Sequence, residues 1–323
     1  MTTFFDILIA LCIISTAAPA VILLWHRYQH DECWESRHPH LSGIGASILL
    51  FLTAIILYGS FLEPRLLVVT EQTIRLPSIS KPIRIVLVSD FQVGPVVQTA
   101  FMEKIVERIL SLHPDMVLIA GDNIDNSEPL VDETVYLAPL QKLTKLIPTY
   151  AVNGNHEYGV AKSEIEKGHI SLLPDLSEQT EHAMIALGVQ YLTNDIVMVT
   201  STPSPLYLFG GDSLAAGKLS YEALETRTSS TLPTIMLVHT PEASFQASTY
   251  RIDLLLAGHT HGGQIRLPFI GPVGRVEKEI PVAWYQGLNM YNGMQLYVTS
   301  GTGETGTRAR LFNPPEIVLL TIE

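Results

Sequence analysis

Polar side chains that can bind metal ions follow several apolar segments of this sequence, each close to the point where the segment ends. Five clusters share this arrangement: Asp90-Phe91-Gln92, Gly121-Asp122-Asn123, Gly154-Asn155-His156-Glu157, His239 and Gly258-His259-Thr260-His261. Together they offer carboxylates, amides and imidazoles but no thiolate, a mixture that suits manganese, iron(II), zinc or magnesium. The clusters therefore indicate a site for divalent cations, formed by residues that lie far apart in the sequence.

The spacing within each cluster indicates how its side chains are directed. His259 and His261 are two residues apart, so in an extended segment they share a face, as do the two polar residues of the first cluster. Asn155 and His156 are adjacent and point in different directions, so one can bind a metal ion while the other faces a substrate. The glycines beside these residues permit close approach of the backbone.

Two ions bridged by a carboxylate, about 3.5–4 Å apart, form the usual site of two-metal hydrolases. Such a pair generates hydroxide near neutral pH and neutralises charge on a phosphoryl group. Any one of these clusters alone is common by chance, and an isolated histidine at a strand end is more often a hydrogen-bonded structural residue. The inference depends on the order and the placement of the whole set.

The elements that must position these residues alternate between strands and helices from about residue 84 onward. Segments 100–112 and 135–146 have helical patterns, and residues 158–190 predict helices and a loop over one side. Short apolar runs predict strands at 83–90, 116–122, 149–155, 207–212, 234–239, 253–259, 295–301 and 316–322. This alternation predicts an α/β domain, in which ligands bind at the carboxyl ends of the strands.

The first sixty residues contain two uncharged apolar runs, 7–25 and 43–62, each close to the roughly 20 residues that cross a bilayer as a helix. We therefore divide the chain into a membrane anchor at 1–63 and a catalytic domain at 64–323. A signal peptide cleaved near Ala18-Pro19-Ala20 is the alternative, but no basic residue precedes the run. Basic residues are more numerous after the second run than between the runs, which favours a domain on the cytoplasmic side of the inner membrane.

The loop between the two runs is rich in potential ligands. It contains His26, His30, Cys33, His38 and His40. They show no recognised ligand spacing, so we interpret the loop as polar and interfacial instead of as a metal site.

The composition excludes some classes of protein. The formal charge of −12 makes nucleic acid an unexpected partner, because binding to phosphates normally uses a basic surface. Two candidate spans are too few for a transporter. No feature of the sequence implies a protein partner.

The ordered clusters resemble the calcineurin-like metallophosphoesterase family. Its pattern is D-x-H, G-D-x-x-D, G-N-H-D/E, a lone H and G-H-x-H, and this chain matches it from Asp90 to His261. The segments 259–264 and 313–317 are typical of one bacterial branch, which commonly carries N-terminal membrane helices. The resemblance implies a four-layer α/β/β/α sandwich, here preceded by a transmembrane helical hairpin.

The resemblance also implies a role for each motif residue. One ion would be held by Asp90, Asp122 and His261. The second would be held by Asp122, Asn155, His239 and His259, with Asp122 as the bridge. His156 would face the phosphate and stabilise the transition state or protonate the leaving oxygen, and Glu157 would position its neighbours.

One position departs from the family pattern, because Gln92 stands where the family usually has a metal-binding histidine. A glutamine carbonyl is a harder and weaker ligand than imidazole. We therefore expect looser binding at the first site and a preference for manganese or magnesium over zinc, with iron also compatible.

The expected substrate is a membrane lipid or a lipid-linked nucleotide, since a membrane tether raises the local concentration of such molecules. The arrangement is similar to the membrane-bound UDP-2,3-diacylglucosamine pyrophosphatases of lipid A synthesis, which release a lipid phosphate and UMP, and to bacterial phosphodiesterases acting on phospholipids. Five basic residues are candidates for contacts with the substrate phosphates: Arg266, Arg275, Lys278, Arg308 and Arg310. A tethered protein phosphatase and a catalytically weak regulatory protein are the alternatives.

Overall fold

The computed structural model describes residues 2–29, 32–127, 131–160, 173–227, 231–274 and 277–323. The chain begins with two long helices, α1 (Thr2–Gln29) and α3 (Pro39–Leu57), joined through the short α2 (Trp34–Arg37). A π-helical turn, Tyr58–Leu62, and a 3-10 turn, Glu63–Arg65, then lead into the α/β domain.

The two long helices form an antiparallel hairpin. Arg27 lies beside Gly43 at one end, and farther along the pair Thr53 Oγ1 donates to Thr16 Oγ1 at 2.8 Å. Both helices are long and apolar enough to cross a membrane, and almost all of their described side chains are at least partly exposed. They are therefore not core helices of the catalytic domain.

Two six-stranded sheets form the centre of the rest of the described chain. The first has the order β1-β14-β2-β3-β4-β5 and is parallel except between β14 and β2. Its strands are β1 (Val68–Ile74), β2 (Ile83–Val88), β3 (Met116–Ile119), β4 (Thr149–Ala151), β5 (Gln190–Tyr191) and β14 (Glu316–Ile322).

The second sheet has the order β12-β13-β9-β8-β7-β6, with parallel pairing in its centre and an antiparallel strand at each edge. Its strands are β6 (Asp195–Val199), β7 (Leu206–Gly210), β8 (Thr234–Leu237), β9 (Leu254–Ala257), β12 (Gly287–Tyr291) and β13 (Met294–Val298). A separate small hairpin pairs β10 (Arg266–Leu267) with β11 (Gly271–Pro272).

Alternation along each strand creates the layers. Ile85, Leu118 and Leu208 belong to the apolar core between the two sheets, whereas their neighbours Val86 and Val117 face the helices outside. The outer helices on the first sheet are α4 (Thr99–Ser111), α5 (Leu140–Thr144) and α6 (Ser177–Ala186). The second sheet is covered by α7 (Ala243–Ala247) and the 3-10 turns Glu222–Thr226 and Val282–Tyr285. The predicted four-layer α/β/β/α fold is confirmed.

Every strand that the sequence predicted is present, but the helix predicted around 135–146 is broken. It consists of a 3-10 turn, Glu133–Leu137, followed by α5, which begins after Pro139. Proline has no N–H to continue a helical ladder, so the break falls at that residue. In the predicted covering segment 158–190, α6 is helical, whereas residues 161–172 lie outside the described part of the chain.

Candidate metal centre

The carboxyl ends of strands from both sheets meet at one place. β2 leads to Asp90, β3 to Asp122 and β4 to Asn155 in the first sheet, while β8 and β9 lead to His239 and His259 in the second. The loops are bonded to one another, since Asp90 N–H donates to Gly121 O at 3.0 Å. The five strand ends therefore deliver their polar residues to a single buried site, as the sequence predicted.

Asp122, His239 and His259 form the tightest group. One ligand atom from each lies within 4.8 Å of the others, and all three residues are buried. His239 Nε2 lies 3.1 Å from Asp122 Oδ2, and His259 Nδ1 lies 3.1 Å from His239 Nε2. These are three of the four residues that the sequence assigned to the second ion.

Asp90, Gln92 and His261 lie close to the group of Asp122, His239 and His259. Asp90 Oδ1 is 3.3 Å from His261 Nε2 and 4.0 Å from His239 Nε2. Gln92 Nε2 is 3.4 Å from Asp122 Oδ2. The residues predicted for the first ion therefore adjoin those predicted for the second, since Gln92 contacts Asp122 and Asp90 lies near His239.

Several buried polar atoms of the site have no hydrogen-bond partner among the described residues. They are Asp90 Oδ1, Gln92 Oε1, Asn155 Oδ1 and both ring nitrogens of His261. An unpaired buried polar atom costs about 1–3 kcal/mol, so such a concentration needs a physical reason. Oxygen and imidazole donors directed at one point are the ligands that divalent first-row ions and magnesium accept, so the residues fit the ions that the family implies.

The backbone at the site is strained. Asp90, Gln92, Asp122, His259 and His261 all have positive φ, between 44° and 70°. For residues other than glycine this conformation costs free energy, and it persists where the surrounding structure imposes it, commonly at functional sites. The strain turns consecutive polar side chains toward the same point.

Two glycines allow the loops to approach one another. A Cβ atom at Gly154 would lie 2.1 Å from Asp122 Oδ1, and one at Gly258 would lie 1.9 Å from Ser89 Oγ. Any side chain at these positions would push apart the loops that carry the ligands.

Hydrogen bonds outside the centre fix which nitrogen of each histidine faces it. His239 Nδ1 bonds Ala120 O at 2.7 Å, which leaves Nε2 for the centre. His259 Nε2 bonds Glu277 Oε1 at 2.9 Å, which leaves Nδ1. Carboxylate or carbonyl partners of this kind orient metal-binding imidazoles and increase their basicity.

The sequence reasoning missed Glu277, a buried residue eighteen positions beyond His259. Its backbone is held by Tyr285, whose hydroxyl accepts from Glu277 N–H at 2.9 Å and donates to Glu277 O. No spacing in the sequence marks it, because its position depends on the path of the loop after β11.

The pKa values of the cluster residues depend both on burial and on the neighbouring charges. Burial disfavours the charged form of His239, but Asp122 and Asp90 outweigh this effect and raise the pKa of His239 to about 10. Burial and the adjacent His239 lower the pKa of His259 to about 4. Burial would raise the pKa of Asp122, yet His239 and His156 hold it below its usual value. A divalent ion bound by His239 would displace the proton of its imidazole.

His156 stands beside the cluster and is partly open to solvent. Its Nδ1 bonds Asp125 O at 2.7 Å, while Nε2 lies 3.8 Å from Asp122 Oδ2 and 3.4 Å from Gln92 Nε2. The ring lines a cavity of about 290 Å³. Burial opposes protonation, but Asp122 and Asp125 raise the pKa of His156 above its usual value. Its Nε2–H can therefore donate a proton or hydrogen bond on the side of the ring that faces Asp122.

Glu157 is fully buried and has no direct access to that cavity. Its carboxylate accepts from Asn123 N–H at 2.6 Å and from Gly154 N–H at 2.8 Å. It ties together the loops after β3 and β4, in keeping with the positioning role expected from the sequence.

The predicted substrate arginines have different environments. Arg308 lines the cavity beside His156, and its Nη1 donates to Asp6 Oδ1 at 2.7 Å. Arg266 lies farther away, on β10, and donates to Gly262 O at 2.7 Å. Lys278 is exposed, and Arg275 lies outside the described residues.

Arg310 differs from the prediction that it contacts the substrate phosphates. It is fully buried, and its guanidinium donates to the carbonyls of Ser300, Gly301, Gly303 and Asn313. These bonds leave Arg310 with a structural role in the loop before β14 and no access to a substrate. The sequence could not separate the two roles, because both use a positively charged donor.

The histidine-rich loop after α1 forms local contacts in the part that the structure describes. His26 Nδ1 is 3.4 Å from Glu35 Oε1, and His38 Nδ1 is 3.1 Å from Trp34 O. Among the described residues these side chains do not form a metal-binding group, and His30 lies outside them.

Known proteins that are similar to this chain are phosphoesterases. Residues 83–263 match the sequence model of the calcineurin-like phosphoesterases. The chain is 29% identical over 270 residues to the uncharacterized metallophosphoesterase YkuE of Bacillus subtilis, covering 82% of this chain and 89% of that protein. It is 28% identical over 242 residues to phosphodiesterase YaeI of Escherichia coli (75% and 82% covered). It is 30% identical over 297 residues to a bovine transmembrane protein with metallophosphoesterase domain (87% and 62% covered).

Proposed function

Since the chain belongs to the calcineurin-like phosphoesterase family, we propose that it hydrolyses a phosphoester or pyrophosphate bond in a membrane-associated substrate. Its membership makes it a metal-dependent hydrolase. One observation carries the proposal for this site: buried atoms of Asp90, Gln92, Asn155 and His261 have no hydrogen-bond partner among the described residues, and Gln92 contacts His156, which lines the cavity.

The motif residues would bind two divalent ions. Asp90, Gln92, Asp122 and His261 would hold one divalent ion, and Asp122, Asn155, His239 and His259 the other. When bound, two such ions supply an activated water and electrostatic stabilisation of the phosphoryl group. Manganese is the proposed metal, because Gln92 adds a hard oxygen donor to the first site.

His156 acts from the cavity side of the cluster. Asp125 O fixes its Nδ1, so that Nε2 remains directed toward the centre. Nε2–H would donate to a phosphoryl oxygen or protonate the leaving oxygen, and the adjacent carboxylates favour the protonated ring that this step needs.

The apolar hairpin is the proposed membrane anchor, with α1 and α3 as spans and the catalytic domain on the cytoplasmic side of the inner membrane. The exposed apolar surface of both helices supports this proposal, since it has no cover within the described chain. A relative named as a transmembrane protein supports it as well.

Two lipid substrates are proposed. The first is UDP-2,3-diacylglucosamine, cleaved to a lipid phosphate and UMP. The second is a phospholipid phosphodiester, a class suggested by the name of the relative YaeI, a phosphodiesterase. Both carry apolar chains that reside in the membrane and a phosphorus at its surface.

The test is hydrolysis by detergent-purified protein with added manganese, beside an Asp122→Ala variant. UMP released from UDP-2,3-diacylglucosamine by the wild type alone would support the pyrophosphatase. Cleavage of a phospholipid diester without release of UMP would favour the phosphodiesterase. Activity only on a phosphopeptide would overturn the proposal of a lipid substrate.

A further inference from the structure

The cavity next to His156 is bounded on one side by the beginning of the first apolar helix. Phe5, near the start of α1, lines the same cavity of about 290 Å³ as His156 and Asp125. A helix that served only as a tether would not need to line a cavity that also contains His156. The start of α1 is therefore a wall of the site.

This wall is held in place by the loop that supports the metal centre. Asp6 accepts from Arg308 Nη1 at 2.7 Å, and Arg310 N–H donates to Gly59 O, after α3, at 2.8 Å. In the same loop Gly303 N–H donates to Asp90 O at 2.6 Å. The loop from Gly303 to Arg310 thus connects both helices of the hairpin to a predicted metal ligand.

The lining of the cavity combines two kinds of surface. His156, Asp125 and Arg308 provide charged or polar groups, whereas Phe5, Val96 and Val160 provide apolar ones. The apolar surface continues outside the cavity along α1 at Leu8, which lies on the same side of the helix as Phe5 and is exposed. A molecule with a phosphoryl group at His156 and an alkyl chain along α1 would match both surfaces.

We propose that α1 is part of the substrate-binding site and that Phe5 contacts the alkyl chain of a lipid phosphoester next to the scissile bond. This inference rests on the proposed function and adds to it a specificity residue. Arg308 holds Asp6 and thereby keeps Phe5 in position. The Arg308 side chain also lines the cavity and provides the positive charge that a substrate phosphate needs.

The test uses two esters that differ only in chain length, p-nitrophenyl methyl phosphate and p-nitrophenyl hexadecyl phosphate. Both are supplied to the full chain in mixed detergent micelles with manganese. The wild type is expected to have the lower KM for the hexadecyl ester. Phe5→Ser is expected to raise that KM roughly 10-fold, the effect of losing one large apolar contact, and to raise the KM of the methyl ester much less.

Two further variants make the result specific. Phe4→Ser removes the adjacent phenylalanine, which does not line the cavity and is 64% exposed, so it should change neither ester. Phe5→Leu keeps an apolar side chain and should restore most of the discrimination. Thermal unfolding of each variant checks that the hairpin is intact.

The outcomes separate this inference from the function on which it rests. Hydrolysis of neither ester by the wild type would overturn the proposed function. Hydrolysis of both with equal KM, or an equal effect of Phe5→Ser and Phe4→Ser, would overturn the role of α1 while leaving the phosphoesterase intact.

Discussion

Gln92 is the residue at which this chain departs from the pattern of its family, and the structure places it beside Asp122 and His156. Its side chain is buried, lies between Asp122 and His156, and has an unpaired Oε1 among the described residues. The amide can coordinate through that oxygen, but less strongly than imidazole coordinates most divalent transition metals.

Gln92→His should therefore tighten metal binding. Titrating the metal-free variant with manganese or zinc should give half-maximal activity at a concentration roughly 10-fold lower than for the wild type. Gln92→Ala should shift the midpoint in the opposite direction. Identical midpoints for all three proteins would show that this position does not coordinate.

Glu277 is predicted to act through His259. Glu277→Gln keeps the size of the side chain but removes the charge that orients and polarises the imidazole, so metal affinity should fall by roughly 10- to 100-fold. Isothermal titration of metal into the metal-free protein measures this directly. Glu279→Gln, at an exposed position two residues away, is the matched control and should leave affinity unchanged. Equal affinities for the two variants would contradict the role of Glu277.

The motif residues could be predicted because each one follows an apolar strand, and parallel strands bring their carboxyl ends together. Glu277 and Arg310 could not be assigned in this way. Their roles depend on loops, one after β11 and one before β14, whose paths no periodic pattern specifies. The contacts that orient the ligands are therefore visible only in three dimensions.

At the scale of elements, the loop before β14 has an importance that its sequence does not reveal. The buried guanidinium of Arg310 donates hydrogen bonds to carbonyls of this loop. The loop in turn contacts both Asp90 and the end of α3. Buried carbonyls left without a donor would carry a desolvation cost.

Arg310→Met should thus destabilise the protein by about 3 kcal/mol, because it removes the side chain that donates to several of these buried carbonyls at once. The midpoint of thermal unfolding, followed by intrinsic fluorescence with manganese present, should fall by roughly 5–10 °C. Arg75→Met is the control, since the Arg75 side chain is 88% exposed and pairs only with Glu323 among the described ion pairs. A fall no larger than that of the control would contradict this account.

The central strands were predictable because they are short, apolar and rich in β-branched residues. The edge strands were not. β1 has a single buried residue and β12 has none, so their sequences lack the continuous apolar run that marks β2, β3 or β8. Pairing with β14 and β13 defines them in the fold.

At the scale of the whole molecule, the hairpin begins and ends beside the catalytic domain. Asp6 near the start of α1 and Gly59 after α3 both bond the loop from Gly303 to Arg310, whereas residues 32–38 occupy the opposite end of the hairpin. If the helices cross a bilayer, the tip and the domain must lie on opposite sides of it.

Cysteine labelling tests this arrangement. In a variant without Cys12 and Cys33, Glu32→Cys, at an exposed position of the tip, should react with a membrane-impermeant maleimide in intact spheroplasts, because the tip is expected outside the inner membrane. Glu222→Cys, at an exposed position of the catalytic domain, should react only after lysis. Labelling of both sites in intact spheroplasts would contradict the proposed spans.

Asp122 is expected to join two metal sites into one phosphoesterase centre. The most direct measurement is hydrolysis of bis(p-nitrophenyl) phosphate by metal-free protein as manganese is added, for the wild type and Asp122→Asn. We predict activity that appears with manganese in the wild type and falls at least roughly 100-fold in the variant, with unchanged thermal unfolding. Activity that is independent of metal, or retained by a folded Asp122→Asn protein, would contradict the account.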